Sequence, residues 1–457
     1  MTSVTVTPAW PPVLLYADIS GMWRGDMVQP AAEGPGKSCL TGTTCSAEPV
    51  TVIVRVMADV FDKCRSWETH RIFKSAGLYP FAPPVEELLS PGEARIHGRP
   101  VIMAASNDYL GLSADPRVRE AARKAIAEHG TSCSGSRLAN GTYVLHLELE
   151  ERLAAFLHRE AALALSTGYQ TNLAVSALLG QDDVVLTDQD NHASLRDAVR
   201  LGGAVERVFR HNDTKHLEWL LSDTPPGSGV LIVTEGVFSM AGDMCDLPRI
   251  AELARQHGAR LMLDCAHDLG VLGADGRGVP ELSGLESSVD LIMTTFSKSL
   301  ASLGGALAGE AEVIDYIRHW ASPAVFSASM TPASVAAALK ALELVEAEPE
   351  RRRLVMENAA RLRDGLLGLG YEVGRSPTPV VPVHVGDFMT CLRLWRALFD
   401  AGVFTGAVIH PAVQHGRELI RVSATAAHTE AQLDRIIGAF AEAGTAVGVI
   451  GPQGMTR

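Results

Sequence analysis

The sequence predicts an α/β fold, a mostly parallel sheet in a large domain followed by a smaller C-terminal α+β domain. Two observations carry this expectation. Short apolar runs recur between residues 161 and 294, with helical stretches between some of them. Beyond a long helical stretch around residue 350, the pattern changes to short strands and one closing helix.

Taken in order, residues 1–56 are rich in Thr, Pro, Gly and Ser and lack sustained periodicity. They read either as a disordered arm or as the product of a start codon placed too far upstream, with Met57 opening a helix-like segment over 58–76. Residues 57–105 form an N-terminal arm, 106–345 the large domain and 346–457 the small one. Helices are expected over 116–128, 145–157, 171–179 and 247–257. Strands are expected over 161–165, 183–186, 205–209, 230–233, 260–263 and 290–294. Helical stretches over 332–348 and 351–369 lead into strands at 380–385, 403–408 and 419–423, and 429–443 closes the chain as a helix.

Composition narrows the function. A chain of 457 residues exceeds one typical core, and 47% hydrophobic content with 20% charged residues is that of a soluble globular protein. A net charge of −13 argues against nucleic acid or an anionic membrane as the main partner. The seven cysteines are scattered, without CxxC or Cys/His spacing, which suggests a reducing compartment and no metal site. No positive charge precedes Arg24 and no apolar core follows, so no secretory signal is expected. The longest uncharged stretch, 161–181, carries a polar cluster at its centre, including Ser166, Thr167, Gln170, Thr171 and Asn172, which a membrane span would not. A cytoplasmic protein is the expectation.

The chemistry concentrates after apolar runs. Lys298 follows Leu291-Ile-Met and precedes small residues and the pair Gly304-Gly305, which permit close backbone approach. An isolated lysine is usually a solvated charge. One buried beside a cationic imine is instead a nucleophile that bonds an aldehyde, as pyridoxal 5'-phosphate (PLP) requires. Asp264 ends the run Arg260-Leu-Met-Leu, and His267 follows three residues later. A carboxylate there needs a positive partner, and a pyridinium N–H is one; the alternative is a helix cap beside an ordinary loop histidine. The turn Ser166-Thr-Gly168-Tyr169 enters a helix and offers N–H groups to a phosphate, although plain capping turns look the same. His192 is placed to stack on a ring and meet the substrate, Ser239 to touch a ring oxygen or cap a turn. Arg421, alternating with apolar residues, wants a carboxylate of the kind an amino acid brings, with Asn107 as a second contact.

Together these segments resemble the α-oxoamine synthases, PLP enzymes of fold type I, over about residues 65–445. The resemblance rests on Asn107-Asp-Tyr-Leu-Gly-Leu, Gly135-Ser-Arg-Leu-Ala-Asn-Gly141, His192-Ala-Ser, Thr234-Glu-Gly-Val-Phe-Ser-Met240, Asp264-x-x-His267 and Thr295-Phe-Ser-Lys298. Within that family, Thr295–Gly305 and Phe326–Ser334 look most like the soluble bacterial serine palmitoyltransferases. The resemblance implies that Lys298 holds PLP covalently and moves the Cα proton, and that Asp264 pairs with the pyridine nitrogen. It further implies that His267 and Ser239 contact the phenolic oxygen and that His192 stacks on the ring. Thr295 and the Gly168-Tyr169 turn would hold the phosphate, and Arg421 the substrate carboxylate. The implied reaction joins an amino acid (serine favoured, alanine or glycine possible) to an acyl thioester of CoA or acyl carrier protein, in a homodimer whose Ser327–Ser329 stretch reaches the neighbour's phosphate. An aminotransferase, a carbon–carbon lyase and a non-catalytic partner subunit are the competing readings. Three positions depart from the family pattern: Ala241, where an acid is usual, Asp268, where Ser or Gly is commoner, and Ala412, where the oxononanoate synthases carry a substrate-binding threonine.

Overall fold

The computed structural model describes residues 59–451. They fall into two units, one ending at Tyr79 and one beginning at Pro80. The first holds two short helices, Asp62–Arg65 and Thr69–Ser75, where the sequence predicts a single helix over 58–76; Met57 and Ala58 lie outside the described residues. Neither helix buries a residue. With no apolar face to dock, nothing holds a continuous helix together.

The second unit is centred on a seven-stranded sheet. Its strands are β1 (Ala161–Leu165), β2 (Val184–Asp188), β3 (Val205–Phe209), β4 (Val230–Glu235), β5 (Arg260–Asp264), β6 (Leu291–Thr295) and β7 (Gly305–Gly309), in spatial order β1-β7-β6-β5-β4-β2-β3. Neighbours from β6 to β3 are parallel, and β7 runs against both β6 and β1. Six strands therefore point one way. Runs such as Leu261-Met-Leu are apolar without alternation because both faces are buried. Leu195 and Val199 of helix Ala193–Gly202 and Ile314 and Ile317 of helix Ala311–Trp320 share one core cluster with Leu163, Val185, Met262 and Met293 of the sheet.

Two four-stranded sheets complete the unit. In one, Val85–Ser90, Glu93–Ile96 and Arg99–Met103 are joined by Val403–Phe404, which pairs in parallel with the last of them. The other contains Glu372–Val373, Val380–His384, Leu419–Ser423 and Gly406–Val408. The strand expected over 403–408 is thus two strands in different sheets, separated at the buried Thr405.

What positions the site is the common edge where the parallel strands end. Asp188, Glu235, Asp264 and Thr295 are the last residues of β2, β4, β5 and β6. In open α/β sheets, ligands bind beyond the carboxyl ends of the strands.

Candidate active site

The chain leaves β1 through Ser166 and Thr167 into the helix Gly168–Ala174, whose Thr167 side chain caps it by accepting from the Gln170 N–H. The end of β1 and the end of β6 both pair with Gly305 of β7, which brings this turn beside Thr295. A Cβ on Gly168 would come within 2.6 Å of Thr295 Oγ1. Only a glycine lets the turn pack this close to Thr295, and the backbone N–H groups at the start of the helix are what it offers a small anionic group. Tyr169 donates through its hydroxyl to Asp197, so what it offers at this turn is backbone.

Lys298 lies on the loop between β6 and β7, partly accessible. Burial lowers its ammonium pKa to about 8, against the pull of Asp264 and Glu235, which favour the charged form. Asp264 is buried; its Oδ2 accepts from Asn172 Nδ2 at 2.8 Å and its Oδ1 from the Ala266 N–H at 3.0 Å. Among the described residues its hydrogen-bond donors are thus neutral amides. Glu235 stands opposite Asp264 in the β4–β5 register. Burial first, and then the neighbouring Asp264, push its carboxyl well above the ordinary range, while its Oε1 accepts from the His192 N–H at 2.6 Å.

A second group of polar side chains gathers around Tyr109. Its buried hydroxyl lies 2.6 Å from His267 Nδ1 and 3.2 Å from Asn107 Oδ1, and accepts from Arg421 Nη2 at 3.3 Å. Arg421 also donates to the Ser239 carbonyl at 2.6 Å and to Ser423 Oγ at 2.7 Å. It is buried, yet all three of these partners are neutral oxygens. Burial, and then the positive charge of Lys298, hold His267 well below the usual histidine pKa, so its imidazole is neutral. His192 caps the helix Ala193–Gly202, and burial lowers its pKa as well.

The sequence-predicted residues meet along this one edge. Asn107 reaches Arg421 through Tyr109, and Ser239 reaches it through its backbone carbonyl. Sequence reasoning missed Tyr109, Glu235 and Asn172. Glu235 carried the same signal as Asp264, a carboxylate ending an apolar run. Tyr109 and Asn172 each lay in a segment singled out for other reasons, and nothing local marks which hydroxyl or amide becomes a hub.

These groups fit PLP. A cleft amine of low pKa suits its aldehyde. A buried carboxylate held only by amides suits a pyridinium N–H, and the glycine cradle beside Thr295 suits its phosphate. Among the described residues, no group of side chains is arranged to hold a metal ion. Fold and site together define a PLP-dependent enzyme of fold type I.

The family model for aminotransferase class I and II matches residues 99–440, and the chain belongs to that family. It is 44% identical to a serine palmitoyltransferase of Sphingobacterium spiritivorum over 365 residues, covering 80% of this chain and 91% of that relative. It is 41% identical to an 8-amino-7-oxononanoate synthase of Symbiobacterium thermophilum over 381 residues, 82% and 96% of the two chains. A solved serine palmitoyltransferase from S. paucimobilis, with bound PLP and myriocin, superposes with a TM-score of 0.83 at 35% identity, covering 86% of this chain and all (100%) of that one.

Proposed function

We propose that the protein joins an amino acid, serine in preference to alanine or glycine, to an acyl thioester of CoA or of an acyl carrier protein. The bond to the amino acid's carboxylate breaks and its carbon leaves as CO2. The acyl group takes that place on Cα, giving an α-amino ketone, and the thioester sulfur leaves as a free thiol. One observation carries the amino-acid half of this reading: Arg421 is a buried guanidinium whose hydrogen-bond partners among the described residues are all neutral oxygens, near enough to Lys298 for the two charges to act on each other. A buried cation without an anion is costly, and a substrate carboxylate completes it. The serine palmitoyltransferase relatives support the acyl half.

When bound, PLP supplies an electron sink for negative charge developing at Cα. The chain's own residues do the rest. Lys298 holds the cofactor and moves the Cα proton, and Asp264 keeps a proton on the ring nitrogen. His267, neutral and backed by Tyr109, donates to the ring's phenolic oxygen together with Ser239. His192 covers the ring face, while Gly168, Tyr169 and Thr295 receive the phosphate. Asn107 and Tyr109 orient Arg421. Residues 106–345 serve as the cofactor-binding part and 346–457 as a smaller lobe that delivers Arg421. We place the enzyme in the cytoplasm; among the described residues, no helix is long and apolar enough to cross a membrane. A homodimer fits as well. Phe326, 85% exposed, and Val144, 78% exposed, are surfaces a second copy would cover, and Ser327 and Ser329 lie beside the first of them.

The experiment is incubation of the PLP-loaded protein with a panel of amino acids and acyl thioesters, following free thiol and product mass. Thiol release with an amino acid, and an α-amino ketone of matching mass, is the expected result. Conversion of the amino acid to its oxo acid without thiol release points to an aminotransferase instead. Absence of thiol release with every pair, carrier-protein thioesters included, removes the proposal.

A further inference from the structure

Behind the residues assigned to the ring lies a hydrogen-bonded chain that the reading above leaves unused. Asn172, on the inner face of helix Gly168–Ala174, is 1% exposed, and Ser194, in the first turn of helix Ala193–Gly202, is fully buried. Asn172 Nδ2 donates to Asp264 Oδ2 at 2.8 Å and to Ser194 Oγ at 2.9 Å. Ser194 Oγ in turn lies 2.7 Å from His192 Nδ1, and the Ser194 backbone N–H donates to that same nitrogen at 3.3 Å. Two side chains therefore connect the carboxylate assigned to the ring nitrogen with the imidazole assigned to the ring face.

The proton positions follow from donor and acceptor chemistry. A carboxylate of Asp264 can only accept, so the Asn172 amide must turn its NH2 toward it, and the same NH2 supplies the second proton to Ser194. The carbonyl of Asn172 is left buried without a hydrogen-bond partner among the described residues. A buried acceptor left bare is a cost. The asparagine keeps its place despite that cost, which marks its two donors as the reason it is there. With Ser194 Oγ already accepting, its own proton is free to point at His192 Nδ1. The backbone N–H aimed at Nδ1 can only donate, so Nδ1 carries no proton. The ring proton must then sit on Nε2, which has no hydrogen-bond partner among the described residues.

We propose that Asn172 and Ser194 are positioning residues that fix His192 as a neutral imidazole with its proton on Nε2, and that tie this state to the charge on Asp264. Nε2–H is then a donor held ready for the substrate's carboxylate. A charged imidazole would force a second proton at Nδ1 against a fixed N–H. Losing the ionised Asp264 would release the Asn172 amide and, with it, the serine hydroxyl. This inference rests on the assignment of PLP between His192 and Asp264.

The test uses the PLP-loaded enzyme with Ser194→Ala and, separately, Asn172→Leu, which keeps the volume and removes the donors. Three readouts are taken: ring-nitrogen NMR of histidine-labelled protein, the visible cofactor absorbance, and kcat with KM for the amino acid across pH. In the native enzyme, His192 should show a bare Nδ1 through neutral pH. In Ser194→Ala it should take up a proton at higher pH than native, and kcat/KM should fall roughly 10–100-fold, as when other hydrogen bonds that fix a histidine tautomer are removed. Cofactor absorbance should persist, because Asp264 and Lys298 are untouched. Should Asn172→Leu fail to fold, Ser194→Ala decides alone, since it deletes one oxygen. A Ser194→Ala enzyme with native His192 protonation and kcat/KM within about twofold of native overturns the relay. A native protein that takes up no PLP defeats the underlying assignment instead.

Discussion

At the residue scale the most informative number is the amine of Lys298, lowered to about 8 by burial. Near pH 7 such an amine is unprotonated a few hundredfold more often than an ordinary lysine with a pKa of ~10.4. The unprotonated form is the nucleophile. Uptake of PLP by cofactor-free protein should therefore accelerate as pH rises toward about 8 and level off above it, as read from the growth of visible absorbance. A Lys298→Ala protein should fold, lack the absorbance of the lysine imine and release no thiol. Asp268 poses a different question. It is fully buried, with Oδ2 accepting from the Val279 N–H at 2.7 Å and the Cys265 thiol as a hydrogen-bonding neighbour. Gly236 and Gly278 make room for it, since a Cβ on either would come within 2.6 and 2.5 Å of Oδ2. Burial pushes its carboxyl up to about 7. For an acid whose folded pKa is raised, the folded state holds the proton longer than the unfolded chain. Stability therefore falls as pH rises from about 4 to about 7 and stays reduced above that. Asp268→Asn, which cannot charge, should be more stable than the native protein by roughly 1–3 kcal/mol at about pH 8, with the gain vanishing near pH 4. Denaturant titration at both pH values checks this. A gain of equal size at both would assign it to packing.

At the element scale, the cradle between β1 and β6 depends on one missing side chain. Gly168→Ala places a methyl group within 2.6 Å of Thr295 Oγ1 and 3.0 Å of its Cβ. The helix start must then move off the strand end. Affinity for PLP should weaken by about tenfold, roughly 1.4 kcal/mol, with little change in the helical content of the protein. Equilibrium titration of cofactor-free protein measures it, and unaltered affinity would show that the phosphate is held elsewhere. This scale also shows what the sequence can and cannot reveal. Strand β1 matches its predicted bounds because its apolar run lies between Glu160 and Ser166, and the helix Leu247–His257 because Asp246 caps its start and Gly258 ends it; β3 matches as well. Strand β7, Gly305-Ala-Leu-Ala-Gly309, carries no β-branched or aromatic residue, and two neighbouring strands impose the conformation that propensity does not. The site divides in the same way. Lys298, Asp264 and His267 stand in one stretch of pattern, whereas Asn172 matters only because a helix packs it against the end of β5, a contact across 92 positions of chain.

At the scale of the whole molecule, the edge that carries the site is braced from outside by a half-buried histidine. His211 lies with Nδ1 at 3.0 Å from Asp188 Oδ1 and Nε2 at 2.9 Å from Asp243 Oδ2, edge-on to Phe238 at 4.4 Å between centroids. It links the end of β2 to the turn that holds Ser239, in which the Phe238 N–H donates to the Asp243 carbonyl. Burial opposes its charge, but hydrogen bonds and the charges of Asp188 and Asp243 prevail, and the imidazolium pKa rises to about 10. The folded pKa lies above the unfolded value of ~6.5, so the contribution is complete below that value and is lost as pH climbs to about 10. Other groups titrate in part of the same window. Burial raises the thiols of Cys245 and Cys265, which adds to the alkaline loss. The lowered Lys298 amine works in the opposite sense while it is free, so PLP-loaded protein is the proper sample. A net charge of −13 adds self-repulsion that grows as histidines discharge. Stability of the loaded native protein should fall steadily between about pH 7 and pH 10. His211→Gln should be less stable near pH 7 and should lose less across that range, because its side chain carries no proton to release. Parallel slopes for the two proteins would mean that His211 is already neutral at pH 7, and that the edge is held by hydrogen bonds alone.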